Sequence, residues 1–136
     1  MERFIGQFSI LVKDYDEALD FYINVLDFEL VEDTVLSPDK RWVVIKPSNT
    51  KGQGCNLLLA RASNPTQEMF IGNQTGGRVF LFLYTDNLKR DYDLLVTKGV
   101  KIVRNPSDES YGRVLVFSDL YGNLWDLIEP KTKRLD

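Results

Sequence analysis

The sequence predicts an α+β fold of two βαβββ modules, because its second half repeats the first. A helix predicted to begin at Asp14 leads into a strand 14 residues later, and a helix predicted to begin at Asp86 leads into a strand over the same interval. Residues 41–45 and 113–117 extend the repeat, since both are strand-forming runs that begin with arginine and lie 72 positions apart. A duplicated unit of this kind usually encloses a cleft, so we expect a curved mixed sheet around a concave, largely apolar face.

The first module, about residues 1–62, is predicted to open with a strand at 4–12. Its side chains alternate between apolar and polar, and alternate side chains of a strand point to opposite faces. Ile10 is therefore expected under the helix, and Gln7 and Ser9 on the concave face.

The helix of the first module has clear signals at both ends. Asp14 is expected to cap it, with Glu17 three residues later as an acidic variant of a capping box. The helix is expected to end near Asp27, because aspartate tolerates a left-handed backbone better than most residues. The other strands of this module are predicted at 28–35, 41–46 and 55–60.

A polar segment at about residues 63–77 is predicted to link the modules, mostly without regular structure. Met69-Phe70-Ile71 interrupts the polarity and is expected to dock onto a surface. The second module follows at about residues 78–130. Its strands are predicted at 79–84, 100–103, 113–118 and 124–128.

The second helix is expected to begin at an Asp86 cap and to end at Lys98-Gly99, where glycine suits the C-terminal position. Alternation then predicts which strand side chains face this helix. They are Phe80, Phe82, Tyr84, Trp125 and Leu127. The side chains expected on the concave face are Val79, Leu81, Leu83, Leu124, Asp126 and Ile128.

The composition excludes several classes of partner. A formal net charge of −3 gives no basic surface for nucleic acid, and the cluster of Lys131, Lys133 and Arg134 is expected to be a solvated terminus. No apolar run is long enough to span a membrane, and Met1–Gly6 shows no signal peptide. The single cysteine, Cys55, excludes an internal disulfide. We therefore expect a cytoplasmic protein that binds neither nucleic acid nor membrane.

Two segments resemble the vicinal oxygen chelate superfamily, which includes glyoxalase I, fosfomycin-resistance enzymes, extradiol dioxygenases and bleomycin-resistance proteins. Val12-Lys13-Asp14, followed by Phe21-Tyr22, Val25-Leu26 and Phe28, is similar to the opening of these proteins. Residues 119–127 resemble their closing signature Asp-Pro-x-Gly-Asn-x-(aromatic)-Glu-Leu. The resemblance implies a single domain over residues 1–136 of the glyoxalase/bleomycin resistance type. It also implies a homodimer, in which the modules pair within one chain or are exchanged between two.

The resemblance places four metal-ligand positions at Gln7, Leu57, Val79 and Asp126. Only Gln7 and Asp126 carry a donor, whereas a divalent transition metal needs about three protein ligands. The chain contains no histidine, which excludes the histidine-dependent iron site of extradiol dioxygenases. We therefore expect no cofactor and no metal ligand.

Asp126 is the one candidate for catalysis, because burial would raise the pKa of its carboxyl group and suit it to proton transfer. The alternative is a partly solvated remnant of the metal site. Trp42 and Tyr111 are candidates for stacking on a ligand, and Arg41 or Arg113 for holding an anionic group, although core or surface roles suit all four. The complete set of expected ligand-binding residues is Gln7, Ser9, Trp42, Leu57, Val79, Leu81, Tyr111, Arg113 and Asp126.

Three functions follow from these residues. The first is binding of a small organic molecule in the cleft without the ancestral metal, as the apolar replacements at Leu57 and Val79 favour. The second is an enzyme, a lyase, isomerase or oxygenase relative that uses Asp126 with a weakly bound divalent metal. The third is a purely structural or regulatory subunit.

Overall fold

The computed structural model describes residues 1–131 and divides into two compact units. The first unit is Met1–Ile71 and the second begins at Gly72. Each contains one four-stranded mixed sheet with the chain order βαβββ. The predicted fold class and the duplication are confirmed.

The sheet of the first unit has the strand order β1-β4-β3-β2. Strands β1 and β4 pair in parallel, and the other neighbours are antiparallel. The strands are β1 (Gln7–Val12), β2 (Phe28–Ser37), β3 (Lys40–Pro47) and β4 (Asn56–Arg61). The helical segments are α1 (Tyr15–Leu19), which continues as the π-helical segment Asp20–Val25, and α2 (Pro65–Glu68).

Both predicted ends of the first helix are confirmed. The Asp14 carboxylate accepts a hydrogen bond of 2.8 Å from the Glu17 backbone N–H, which satisfies a donor that the first helical turn leaves open. Asp27 has a φ of 61°, so the chain leaves the helix through a left-handed residue. The π-helical turn between these ends was not predicted.

The core of the first unit lies on the helix-facing side of its sheet, where Ile10, Ile45 and Leu59 are fully buried. Leu57 was expected at a former metal-ligand position and among the ligand-binding residues, but the structure places it in the core. It pairs with Phe8, on the same face as Ile10, and is buried in the core. Sequence spacing could not fix the register of β4, and a shift of one residue exchanges the two faces of a strand.

The second sheet has the equivalent strand order β5-β8-β7-β6, with β5 and β8 parallel. Its strands are β5 (Val79–Tyr84), β6 (Ile102–Glu109), β7 (Gly112–Ser118) and β8 (Leu124–Pro130). Its helix is α3 (Leu88–Thr97). Leu88 and Leu95 form the buried stripe of α3, and Trp125 and Leu127 are buried in β8 as predicted.

Two predictions about the helices are corrected. Asn87, not Asp86, caps α3 by accepting a hydrogen bond from the Arg90 backbone N–H at 3.0 Å. Asp86 instead forms an ion pair with the Arg90 side chain. The predicted linker contains the short helix α2, and Met69 and Phe70, which were expected to dock, remain exposed.

A bulge in β5 reverses the faces that simple alternation predicts. Val79 pairs with Leu124, but the register then shifts, and Leu81 pairs with Trp125. Leu81 therefore lies on the helix-facing side, while Phe82 pairs with Asp126 on the other face. The extra residue of a bulge changes the parity of every later position in the strand.

No helix in the described part of the chain is both long and apolar enough to cross a bilayer. Strand β6 extends to Glu109, six residues beyond its predicted end. The expected basic terminus includes Lys133 and Arg134, which lie outside the described residues.

Candidate functional site

One face of the second sheet, opposite α3, carries a row of four paired residues across all its strands. In strand order the row is Phe82, Asp126, Val116 and Arg104. We call this side of the sheet the pocket face. A second row on the same face consists of Tyr84, Ile128, Val114 and Ser107.

A pocket of about 300 Å³ opens on the pocket face. Three of its side chains are aromatic and largely exposed, with Phe82 at 57%, Tyr84 at 47% and Tyr111 at 55%. We call it the aromatic pocket, and its other lining residues are Asp126, Ile128 and Pro130. Exposed aromatic side chains grouped around one hollow are a feature of small-molecule sites rather than of a folded core.

A second hollow of about 170 Å³ lies beside the first and shares Tyr111 and Asp126 with it. We call it the polar pocket, because Arg104, Ser107 and Glu109 line it. The Ser107 hydroxyl donates a hydrogen bond of 2.9 Å to the Glu109 carboxylate. The two hollows meet at Tyr111 and Asp126, with an aromatic half on one side and a charged half on the other.

Asp126 stands between the two halves, and its electrostatics follow from that position. Burial raises the pKa of its carboxyl group above the ordinary value, while the positive charge of Arg104 acts in the opposite direction. Burial is the larger effect because the neighbours of Asp126 across the strands are Phe82 and Val116, which cannot solvate a carboxylate. A hydrogen-bond donor supplied by a ligand would therefore stabilise the charged form of Asp126.

Gly112 explains how Tyr111 reaches this site. A Cβ at position 112 would lie 2.3 Å from the Glu129 carbonyl oxygen, so β7 and β8 approach too closely there for any other residue. The Lys131 backbone N–H also donates to the Tyr111 carbonyl at 3.2 Å. The turn between β6 and β7 is therefore held against the end of β8, with the Tyr111 ring at both pockets.

The closing signature at residues 119–127 has mainly a structural role. Asp119 is buried, and its carboxylate accepts hydrogen bonds from the backbone N–H groups of Tyr121, Gly122 and Asn123. It also accepts from the Asn123 side chain at 3.0 Å and from the Trp125 indole at 3.1 Å. These bonds fix the turn that leads into β8 and thereby set the register that brings Asp126 to the pocket face.

The structure brings only part of the predicted site together. Tyr111 and Asp126 line the same pockets, and Val79 lies on their face through its pairing with Leu124. Leu57 and Leu81 lie on helix-facing sides of their sheets, away from any such face. Gln7, Ser9 and Trp42 belong to the first unit, on the sheet face opposite its core.

The two arginines expected to hold anions are committed to other contacts. Arg113 pairs with Glu129 across the strands, on the face opposite Asp126, and its guanidinium forms an ion pair of 2.9 Å with Asp108. Arg41 pairs with Asp33 through two hydrogen bonds of 3.1 and 2.7 Å and also contacts Asp16 at 2.9 Å. Both are structural contacts of their sheets.

The residues at the four expected metal positions do not fit a metal. Leu57 and Val79 offer no donor, Gln7 offers a neutral oxygen, and only Asp126 offers a carboxylate. The charged group that acts on Asp126 is the Arg104 guanidinium, which repels a cation. Within residues 1–131, no three His, Cys, Asp or Glu side chains are grouped closely enough to hold an ion.

Sequence reasoning missed Phe82, Tyr84 and Arg104. The two aromatic residues were assigned to the wrong face because a bulge leaves no reliable signature in a single sequence. Arg104 was missed because this strand was predicted to end at residue 103, whereas β6 runs from Ile102 to Glu109 with register shifts along it. The three aromatic side chains within residues 80–84 were a signal in the sequence that could have indicated a ligand site on this strand.

Comparison with known proteins agrees with this architecture. Residues 4–127 match the family model of the Glyoxalase/Bleomycin resistance protein/Dioxygenase superfamily. An uncharacterized protein of Shewanella frigidimarina is 54% identical over 135 residues, which cover 98% of both chains.

Two solved structures are also similar along nearly the whole chain. TnmS3, an antibiotic binding protein from Streptomyces sp. CB03234, is 29% identical with a TM-score of 0.76, over 96% of this chain and 98% of that one. A superfamily member from Sphaerobacter thermophilus is 29% identical with a TM-score of 0.70, over 94% of this chain and 98% of that one. The similarity therefore extends through both units.

Proposed function

Since this chain belongs to the Glyoxalase/Bleomycin resistance protein/Dioxygenase superfamily, we propose that it binds a small aromatic molecule in the aromatic pocket without a bound metal. The observation that carries the proposal is the group of three exposed aromatic side chains, Phe82, Tyr84 and Tyr111, around one hollow. A volume of about 300 Å³ lies at the lower end of the range for small-molecule pockets.

The chemistry of the lining supports a flat, mostly apolar ligand. Aromatic rings attract other rings in stacked or edge-to-face arrangements, and Ile128 and Pro130 add apolar surface. TnmS3 is described as an antibiotic binding protein, so aromatic antibiotics belong among the first compounds to test. Of the residues that the sequence suggested, Tyr111 and Asp126 carry this proposal.

The test is to titrate a panel of aromatic compounds and antibiotics into the full chain. Binding is measured by the shift in melting temperature and by changes in amide chemical shifts. A true ligand raises the melting temperature and perturbs the amides of Phe82, Tyr84 and Ile128. Replacing Tyr84 with alanine should weaken binding by about 1–2 kcal/mol, or roughly five- to thirtyfold in Kd. Phe70→Ala removes an exposed aromatic side chain outside the pocket and should have no effect.

Absence of binding across the whole panel would contradict the proposal, and so would equal losses of affinity in Tyr84→Ala and Phe70→Ala.

An enzyme is the second candidate function, because the raised pKa of Asp126 favours proton transfer at this site. In that case Asp126→Asn would abolish turnover of a bound compound while the compound still bound. Binding without turnover in the unmodified protein favours the first function.

We also propose a homodimer that works in the cytoplasm. Cys55 is the only cysteine and stays unpaired, which suits a reducing compartment. Sedimentation velocity over a range of concentrations tests the assembly, and a single species of 15.7 kDa throughout would exclude the dimer.

A further inference from the structure

We propose that the ligand is a dipolar aromatic compound, with a hydrogen-bond donor directed to Asp126 and an anionic acceptor directed to Arg104. An amine or ammonium group suits the first position, and a carboxylate the second. This inference rests on the proposed function, because it names the chemical class that the same site selects.

The pairing of strands sets the spacing of the two charged groups. Asp126 in β8 and Arg104 in β6 both pair with Val116 in β7, so the three residues form one row on the pocket face, with register shifts in β6 on both sides of Arg104. Adjacent strands lie about 4.8 Å apart, which puts the backbones of Asp126 and Arg104 about 10 Å apart. Val116 lies between them, and all three residues line the polar pocket, so this hollow has a carboxylate at one end and a guanidinium at the other.

The neighbouring contacts leave Arg104 available to a ligand. Its guanidinium forms no ion pair with residues 1–131, in contrast to the pairs that hold Arg41, Arg90 and Arg113. An arginine presents several N–H donors in a plane that matches a carboxylate. Arg104 is therefore the group on the pocket face best suited to an anionic acceptor.

Opposite charges at the two ends disfavour a ligand with a single charge. An anion at Arg104 meets repulsion from Asp126, and a cation at Asp126 meets repulsion from Arg104. A dipolar ligand in the stated orientation has attractive interactions at both ends. Glu109 adds a further carboxylate, but it is exposed to solvent and bonded to Ser107, which weakens its influence.

The aromatic side chains determine where the ring of the ligand lies. Tyr111 lines both pockets, and Phe82 flanks Asp126 on the side away from Arg104. Tyr111 contributes a hydroxyl group that can exchange hydrogen bonds with the ligand. A ring between these side chains can carry one polar group toward each end of the row.

Three small benzene derivatives separate the effects of charge. They are 4-(aminomethyl)benzoate, which is dipolar, 4-methylbenzoate, which is an anion, and benzylamine, which is a cation. Each is titrated to about 10 mM into the full chain at neutral pH, a range suited to fragments of this size. Amide shifts of Phe82, Ile128 and Val116 report binding at the site. We expect the dipolar compound to bind at least about fivefold more tightly than either of the others.

Arg104→Gln tests the role of the guanidinium, and Arg113→Gln is the matched control on the opposite face of the same sheet. Arg104→Gln should remove the preference for the dipolar compound over benzylamine, whereas Arg113→Gln should keep it. The inference is overturned if the three compounds bind equally or if Arg104→Gln preserves the preference. Binding without any preference leaves the proposed function standing, but the absence of shifts at the pocket residues with every compound contradicts both.

Discussion

At the residue scale, two aspartates of the closing signature, residues 119–127, have opposite roles. Asp119 is buried and accepts hydrogen bonds from three backbone N–H groups and two side chains. Asp126, seven residues later, is half-buried between apolar neighbours and forms no hydrogen bond with residues 1–131. The first carboxylate stabilises the turn, and the second remains available to a ligand.

Asp119→Ala is expected to lower the free energy of unfolding by about 3 kcal/mol or more, because it leaves several buried donors without an acceptor. Urea denaturation measures the loss. Asp108→Ala removes an exposed carboxylate of the same unit that forms an ion pair with Arg113, and it should cost under about 1 kcal/mol. Similar losses in the two variants would show that the Asp119 network does not stabilise the turn.

Asp126→Asn is expected to stabilise the protein at neutral pH. Burial raises the pKa of this carboxyl group in the folded chain above the ordinary value of 3.8. Between these two pKa values the folded chain binds more protons than the unfolded chain, so stability falls as pH rises through that range. The advantage of the amide should therefore shrink as the pH is lowered.

Urea denaturation of both proteins at neutral pH and at about pH 4.5 checks this dependence on proton binding. Glu109→Gln is the control, because it neutralises an exposed carboxylate on the same face. A stability difference between Asp126→Asn and the unmodified protein that grows toward acid pH would contradict the predicted sign.

At the element scale, the two helices show how the duplicated halves have diverged. Asp27 and Gly99 occupy equivalent left-handed positions after the helices, with φ of 61° and 77°. The N-cap residues do not follow the interval that separates Asp27 from Gly99. The first helix is capped by Asp14 and the second by Asn87, which lies one residue beyond the position equivalent to Asp14. The first helix thus holds one extra residue, and the π-helical turn, closed by the bond from the Leu26 N–H to the Phe21 carbonyl, accommodates it.

The two left-handed positions give a paired prediction. Asp27→Gly should raise the free energy of unfolding by about 0.5–1 kcal/mol, because glycine adopts positive φ without the steric cost of a Cβ. Gly99→Ala should lower it by about 1 kcal/mol or more for the same reason. A Cβ at position 99 would meet no atom within 4 Å, so the loss would come from the backbone alone. Thermal denaturation of both variants measures these changes. Melting temperatures that shifted in the same direction in the two variants would contradict the role of positive φ.

At the scale of the whole molecule, the family's fold is kept but its metal chemistry is not supported by the side chains present. The chain has no histidine. The carboxylate retained at Asp126 has aromatic and apolar neighbours and a cationic one, Arg104. The second sheet therefore offers an apolar surface with opposite charges at a position where the resemblance to the superfamily predicts a metal ligand.

Removal of metal ions is expected to leave the protein unchanged. Treatment with EDTA should alter neither the melting temperature nor the affinity for an aromatic ligand, and added Ni²⁺ or Zn²⁺ should produce no stoichiometric stabilisation. Elemental analysis of the purified protein gives the independent measurement. The expectation would be contradicted if the protein held one metal ion per chain and lost both the ion and its stability on chelation.

Much of the fold was predictable because its signals are local. Apolar alternation located most of the strands within a few residues, although β6 runs well past its predicted end, and Asp14, Asp27 and Gly99 marked helix ends through their own backbone preferences. The errors arose where one residue is gained or lost. The first helix holds one residue more than α3, so the repeat interval predicted the second cap at Asp86 instead of Asn87. The bulge in β5 moved Phe82 and Tyr84 to the pocket face, and a bulge reflects strand pairing, which a propensity scale does not contain.

The sequence alone determined the duplicated βαβββ fold and the absence of imidazole, because composition and periodicity are properties of the chain itself, and its opening and closing motifs indicated the family by resemblance. The tertiary structure decided which side chains share a surface. Asp126 meets Arg104 and a ring of aromatic side chains only through the register of four strands. Register depends on contacts between segments distant in the chain, and one residue of slip would send each of these groups to the opposite face.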